Sequence, residues 1–544
     1  MSKLDKRLFE ARPKLDPKKS IDYTASDATT LVRLMTKGEL SARTLIAEHL
    51  RRIDNVNPHL NAIAWPMFDE ARRQAALVDE RKNAGPLHGV PMTVKECFEV
   101  KETPATLGLT SRVGQVADSD SPLIKRLRNA GAILLGKTNL SHLMMLLETD
   151  NPVYGRTNNP WNLACTPGGS SGGEAAIVAA GGSALGLGTD IGGSVRIPAH
   201  FCGVAALKPT SGRLSMIGTG DLHHGQEAVL AQAGPIARSV ADLDLAMSVL
   251  AAPGQESFDP TIAPVPWRDY RTVDVSTLRI GYYVNDGCFP CSPAVRRAVL
   301  ESVAALRKRG AQLSEFEPPE IQTAMALFLA LMSADGAASK KQLIGNGKVE
   351  KRIRYAIRFA SLPKRVRALV GSAAELSGQR RLGNAARAYG RCSVSDYWQL
   401  VHRRNLYRIK FLSAMAAQQL DAVLCPPYAL PALPHGMVRR LGPIHSHAVI
   451  FNLLGMPAGV VPITRVGAGE EGEREPSRDR VDRLAREAEQ QTTGMPVGVQ
   501  VAAPAWREDI VLAVMAQLEN VFKFDTALSP KSIDRLGPGQ YHPR

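Results

Sequence analysis

Ser170 and Ser194 each stand directly behind a pair of glycines, in Gly168-Gly169-Ser170 and Gly192-Gly193-Ser194. They lie 24 positions apart, and the second sits inside Gly-Thr-Asp-Ile-Gly-Gly-Ser-Val-Arg-Ile-Pro, residues 188–198. Glycine lets backbone approach a bound group closely and frees N–H donors to point at it. Two hydroxyls bracketing a strand-like segment supply a nucleophile, an anion cradle and a second proton carrier. These are the parts of an acyl-transfer site.

Such parts need a scaffold, and the surrounding pattern alternates between strand and helix. Short β-like runs fall at 90–94, 132–135, 184–189 and 204–207, with helical segments at 122–130 and 172–180 between them. This alternation predicts an α/β sheet. Further strands are expected at 278–284, 422–425, 458–462 and 497–502, and helices at 293–309, 394–420 and 509–521. Upstream, Ser26 is expected to cap a helix ending near Gly38. Ser41 should cap a second, whose Leu45, His49, Leu50 and Ile53 share one face. The first 23 residues read as an extended arm, and the charged stretch 467–493 as a solvated insertion. There is no internal repeat and no clean linker, which favours one large domain with insertions.

Three motifs compete for 168–198. A phosphate loop fails, because no Gly-Lys-Ser/Thr closes the glycines. A nucleophile elbow, G-x-S-x-G, matches Gly168-Gly169-Ser170-Ser171-Gly172. That motif requires an apolar strand just before it, whereas Pro160 and Pro167 flank the preceding segment and suit a central strand poorly. His435, His445 and His447 keep the elbow open as a reading.

The third match is a resemblance. The two serine motifs, together with Gly89-Val90-Pro91-Met92-Thr93-Val94-Lys95-Glu96, are similar to those of the amidase signature family. The likeness runs over nearly the whole chain and includes Gly234-Pro235-Ile236-Ala237-Arg238-Ser239 and Gly494-Met495-Pro496-Val497-Gly498-Val499-Gln500. Phe201-Cys202-Gly203, Leu207-Lys208-Pro209-Thr210 and Pro457-Ala458-Gly459-Val460-Val461-Pro462 resemble the family's fatty-acid-amide-hydrolysing members.

The resemblance implies the amidase signature fold, a twisted mixed central sheet covered by helices on both sides. It implies an N-terminal arm and helices over 1–60 and a single amidase domain over 61–544. Within that domain the signature core covers 85–260 and a basic amphipathic cap 340–395. It implies a Ser-Ser-Lys triad, with Ser194 as nucleophile, Ser170 as bridge and Lys95 as base. Met144 falls where the family has a substrate-side methionine, although a core role suits it equally. Backbone N–H groups of Ile191, Gly192, Gly193 and Ser194 would surround the oxyanion, and Asp190 and Arg196 would hold the turn rather than react. The acyl channel would be lined in part by 326–333 and 448–452. Neither a metal nor an organic cofactor is implied.

The implied activity is hydrolysis of fatty acid amides, either N-acylethanolamines or primary amides, through an acyl-enzyme. Alternatives are an amidase of another substrate class, or a glutaminase-like subunit of an amidotransferase complex. An inactive amidase-fold interaction module is a third reading, and intact Lys95, Ser170 and Ser194 stand against it.

Composition bounds the rest. At 544 residues, 44% hydrophobic and 22% charged, the chain resembles an ordinary globular protein. Seven cysteines without close pairing argue against a disulfide framework and for a cytoplasmic protein. Cys288 and Cys291 form a lone CxxC, and His223-His224 lacks a third ligand, so neither predicts a metal site. No apolar run reaches the length of a membrane span, and residues 1–21 lack the apolar stretch of a signal peptide.

The net charge of +15 is concentrated. Residues 340–410 hold eighteen Lys and Arg against Glu350, Glu375 and Asp396, so the remainder is formally neutral. Inside that segment Ile353, Ala356, Ile357 and Ala360 form one apolar stripe, and Leu362, Val366, Leu369 and Val370 another. Ser361 is a candidate cap, with Pro363 in the first turn. Basic amphipathic helices over 352–370 predict peripheral contact with a membrane surface. The alternative is a packed hairpin with a solvated basic face. Nucleic acid is not expected, since no recognised binding motif accompanies the charge. A homodimer is compatible with the sequence.

Overall fold

The computed structural model describes residues 22–80, 85–220, 222, 225–442, 444–471 and 474–525. Residues 1–21 of the expected N-terminal arm and His223-His224 lie outside the described residues. Among those described, one sheet joins β1 (Ile63–Pro66), β2 (Pro91–Lys95), β3 (Ile133–Thr138), β4 (Leu185–Asp190), β5 (Ala205–Lys208), β6 (Gln232–Ala237), β7 (Arg279–Tyr282), β8 (Gln312–Glu315), β9 (Ala422–Cys425), β10 (Ala458–Arg465) and β11 (Pro496–Ala502). Their order across the sheet is β1-β3-β2-β4-β6-β5-β10-β11-β9-β7-β8. β2 runs parallel to both β3 and β4. The centre from β4 to β9 is antiparallel, and β7 and β8 complete a parallel edge.

Helices flank this mixed sheet, and every residue of β2, β3 and β4 is buried. Strands covered on both faces lose the polar alternation of a half-exposed sheet, and these read as near-continuous runs of small and apolar residues. The helix Gly172–Ala179 follows the first serine motif and is buried along its whole length. Its glycines allow that: a Cβ on Gly173 would lie 2.5 Å from the Asn139 carbonyl oxygen.

Several local expectations change. Asp27, not Ser26, caps the helix Ala28–Thr36, its carboxylate accepting from the Thr30 N–H. Ser41 caps the helix Ala42–Leu60 as expected. The stretch 467–493 is not simply solvated. It contains the helix Arg480–Glu489, which buries Val481, Leu484, Ala485 and Ala488, while Arg474 pairs with the buried Glu489 at 2.7 Å. Its charged residues hid a buried stripe at helical spacing.

The basic segment folds as the helices Lys351–Ala360, Lys364–Leu376 and Arg380–Ala388, followed by the long helix Val394–Ala417. Ile353, Ile357 and Ala360 are buried, as their stripe predicts. The second stripe behaves differently: Val366, Leu369 and Val370 are exposed, and Arg367 turns inward instead. Ser361 does not cap that helix. Its hydroxyl donates to the carbonyls of Gly336 and Ile357, and Pro363 occupies the cap position. No helix among the described residues is long and apolar enough to cross a membrane.

Candidate active site

Lys95 ends β2, fully buried. Its Nζ donates to Ser170 Oγ at 2.6 Å and to Thr189 Oγ1 at 2.8 Å. Burial pushes the amine down from 10.5 to about 8, with the carboxyl groups of Asp190, Glu174 and Glu96 pulling partly the other way. Desolvation disfavours the charged ammonium, so the neutral amine is populated at lower pH than in an exposed lysine.

The two Gly-Gly-Ser segments lie side by side. The Ser171 N–H donates to the Ser194 carbonyl at 3.1 Å, and the Ser171 hydroxyl donates to the Thr189 carbonyl at 3.3 Å. Ser170 and Ser194 are both buried and both open onto one cavity. Their hydroxyls share no hydrogen bond in this conformation, so the Lys95–Ser170 contact is formed and the Ser170–Ser194 contact is not. Catalytic hydrogen bonds commonly close only around bound substrate.

Asp190 and Arg196 organise the second serine turn. The Arg196 guanidinium donates to Asp190 at 2.9 and 3.0 Å and also reaches Gln500, Asn452 and the Ala448 carbonyl. Burial opposes ionisation of Asp190, but Arg196 and the Asn452 amide hold its carboxyl well below the usual range. The carboxylate in turn accepts the N–H groups of Gly193 at 2.8 Å and Val195 at 3.1 Å.

One expected oxyanion donor is therefore committed elsewhere: the Gly193 N–H belongs to Asp190. Among the described residues no acceptor takes the N–H groups of Ile191, Gly192 or Ser194. Gly193 has a structural duty instead. Its φ is +105°, and a Cβ there would lie 2.6 Å from Ile197 Cδ1 and 2.8 Å from Ala448 Cβ.

Met144 lines the cavity, and its sulfur accepts from the Thr189 hydroxyl at 3.8 Å. Thr189 was not singled out as a site residue by the sequence, yet it joins Lys95 to Met144. The available signal was its place at the end of a strand, immediately before Asp190. The nucleophile-elbow reading finds no support: the residues before Ser170 form no strand. His435 bonds to the Leu163 carbonyl at 3.2 Å, and His447 lies 3.5 Å from Cys291 Sγ.

The cavity has a volume of about 980 Å³. It runs from Ser170, Thr189 and Ser194 past Phe328 and Met332 to Ile353 and Tyr389 in the basic segment. The expected wall at 326–333 is present, whereas residues 448–452 pack behind it and His445, Gly442 and Val438 line the cavity in their place. Among the described residues no acidic side chain lines it, and Lys340 and Arg358 are its charged lining residues.

Comparison with known proteins gives a consistent answer. The amidase family matches residues 44–512. The chain is 34% identical to fatty-acid amide hydrolase 1 of Sus scrofa over 526 residues, covering 96% of this chain and 89% of that protein. It is 31% identical to fatty acid amide hydrolase 1 of Caenorhabditis elegans, covering 95% and 92%. A solved structure of fatty acid amide hydrolase superposes with a TM-score of 0.82 at 28% identity, covering 94% of this chain and 87% of the other. The chain belongs to the amidase family and is a hydrolase acting on amide bonds.

Proposed function

We propose that this amidase hydrolyses fatty acid amides through an acyl-enzyme on Ser194. One observation carries the reading: a buried, desolvated Lys95 bonded to Ser170, which lines a largely apolar cavity together with Ser194. The similar fatty-acid amide hydrolases support the substrate class.

With Lys95 neutral, its Nζ accepts the Ser170 proton while Ser170 Oγ accepts the proton of Ser194. Ser194 Oγ then bonds to the amide carbon. The oxygen of the tetrahedral adduct is stabilised by the N–H groups of Ile191, Gly192 and Ser194. Collapse breaks the C–N bond, and Ser170 delivers a proton to the departing nitrogen while Lys95 replenishes it. This protonation is required because an amide anion is too basic to leave. Water, deprotonated along the same path, attacks the ester and returns a proton to Ser194 as the acid departs.

Access from a lipid surface is the second part of the proposal. The far end of the cavity is built from Ile353, Phe359 and Leu362. Beside them Leu369 is 71% and Leu376 89% exposed, amid exposed Lys364 and Arg365. Exposed apolar side chains ringed by cations suit an interfacial helix on an anionic membrane. The helix Val394–Ala417 also exposes Trp398, Ile409 and Leu412, a face suited to a second copy of the chain.

Labelling with a fluorophosphonate tests the nucleophile: the parent protein is labelled and Ser194→Ala is not. Equal labelling of both proteins removes Ser194 from its role. Assay of the isolated chain on oleamide and on glutamine tests the substrate class. Turnover of glutamine alone would favour the amidotransferase-subunit alternative.

A further inference from the structure

His445 stands in the cavity wall just ahead of the helix Ser446–Leu454. The wall around it is apolar. Its ring meets Phe328 edge-on, with centroids 6.4 Å apart. Phe328 in turn faces the oxyanion loop, its Cζ lying 3.3 Å from where a Cβ on Gly192 would be. His445 is thus one aromatic ring away from the reacting centre. Its Nδ1 is sealed in without a hydrogen-bond partner, and no described side chain or backbone group bonds to the ring, so Nε2 is the nitrogen left to meet a molecule in the cavity.

A neutral imidazole carries one donor and one acceptor. Burial, reinforced by the nearby Arg196 charge, lowers its pKa to about 4, so it stays neutral through any ordinary assay range. An alkyl chain passing it would cover Nε2 and leave it unsatisfied, and a buried polar group without a partner is unfavourable. Fold stability does not explain the residue, since an aliphatic side chain would suit its contact with Phe328 at least as well. Nor does the chemistry proposed above use it.

We infer that His445 is a specificity residue that hydrogen-bonds an oxygen carried by the substrate, so that the preferred substrates are hydroxylated or oxo-substituted fatty amides. The oxygen could sit on the acyl chain or on the amine head group. The inference rests on the fatty-amide reading above and extends it. A site built to bond such an oxygen discriminates against the plain alkyl analogue, because that analogue strands the imidazole.

The test compares kcat/KM for octadecanamide, for its N-hydroxyethyl derivative, and for octadecanamides with one hydroxyl at successive chain positions. The parent protein should favour at least one oxygenated compound by about tenfold, the worth of one recovered buried hydrogen bond. A favoured head-group hydroxyl assigns the contact to the amine side, and a favoured chain hydroxyl to the acyl side. In His445→Leu the ratio should fall to near one, and His445→Gln, which keeps a donor and an acceptor, should retain most of it.

A preference that persists in His445→Leu overturns the inference, as does a parent that favours no oxygenated compound. Loss in both variants marks packing damage and also counts against it. A parent protein that hydrolyses none of these amides, while still labelled at Ser194, refutes the fatty-amide reading and this inference with it.

Discussion

Arg196 and Arg367 are both buried arginines, one beside the second serine turn and the other in the basic cap, and they are held in different ways. Arg196 is saturated by Asp190, Asn452, Gln500 and Ala448, partners up to 304 positions away. Arg367 donates to the backbone carbonyls of Leu362, Tyr389 and Arg391, none more than 24 positions distant. The reaction end is thus tied into the whole fold. The helix that carries Arg367 is held through nearby chain and presents apolar side chains outward, while Arg381 ties the next cap helix to Asp482 and the Cys288 carbonyl. A hydrolytic centre needs fixed geometry, whereas an entrance for lipid needs surface that gains by being covered.

The largest effects should come from breaking the reaction end. Lys95→Ala and Ser194→Ala should each lower kcat/KM for a fatty amide by roughly a thousandfold or more, the usual scale for a triad member. Full activity of Lys95→Ala at neutral pH would remove the base from the mechanism. Arg196→Met leaves the Asp190 charge buried and unpaired, and should cost about 3–5 kcal/mol of stability. A thermal melt within a degree or two of the parent would show that this pair does not hold the turn.

Smaller effects sharpen the comparison. With the Lys95 amine near 8, kcat/KM should rise with pH and level off above about 8, because only the neutral amine accepts a proton. Thr189→Val removes an acceptor that stabilises the ammonium, so the rising limb should move to lower pH while activity falls by roughly tenfold. A limb that stays in place would make Thr189 a packing residue.

The cap substitutions should leave chemistry intact. Lys364→Glu with Arg365→Glu should weaken flotation with anionic vesicles, at about 1 kcal/mol per charge removed near the surface. Turnover of a short soluble amide should stay within about twofold, as expected for surface substitutions. Unchanged flotation would rule out this face as a membrane contact.

Much of the fold was legible where apolar residues gather. β2, β3, β4, β5, β9, β10 and β11 fall within a few residues of the expected runs. β6 was missed because Gln232-Ala233-Gly234-Pro235 looks unlike a central strand. Gly234 is needed there, as a Cβ would sit 2.2 Å from the Leu207 carbonyl oxygen, and Pro235 is tolerated at the cost of a ladder donor. β8, Gln312–Glu315, is a polar edge with little to bury. Both stripes of the cap were legible as apolar faces, but amphipathic spacing does not say what covers them: the first packs inward and the second stays exposed.

The sequence by itself determined which groups are available for reaction. Ser170 and Ser194 stand out because their Gly-Gly-Ser turns are local features, readable along the chain, whereas Lys95 joins them only through the family resemblance of residues 89–96. Only the tertiary structure decided how those groups are served. Thr189 meets a lysine 94 positions away, Asp190 claims the Gly193 N–H, and His445 is brought beside Phe328 in the cavity wall. Such contacts arise from packing between distant segments, where burial sets both the acidity of an amine and the demand of an imidazole for a partner.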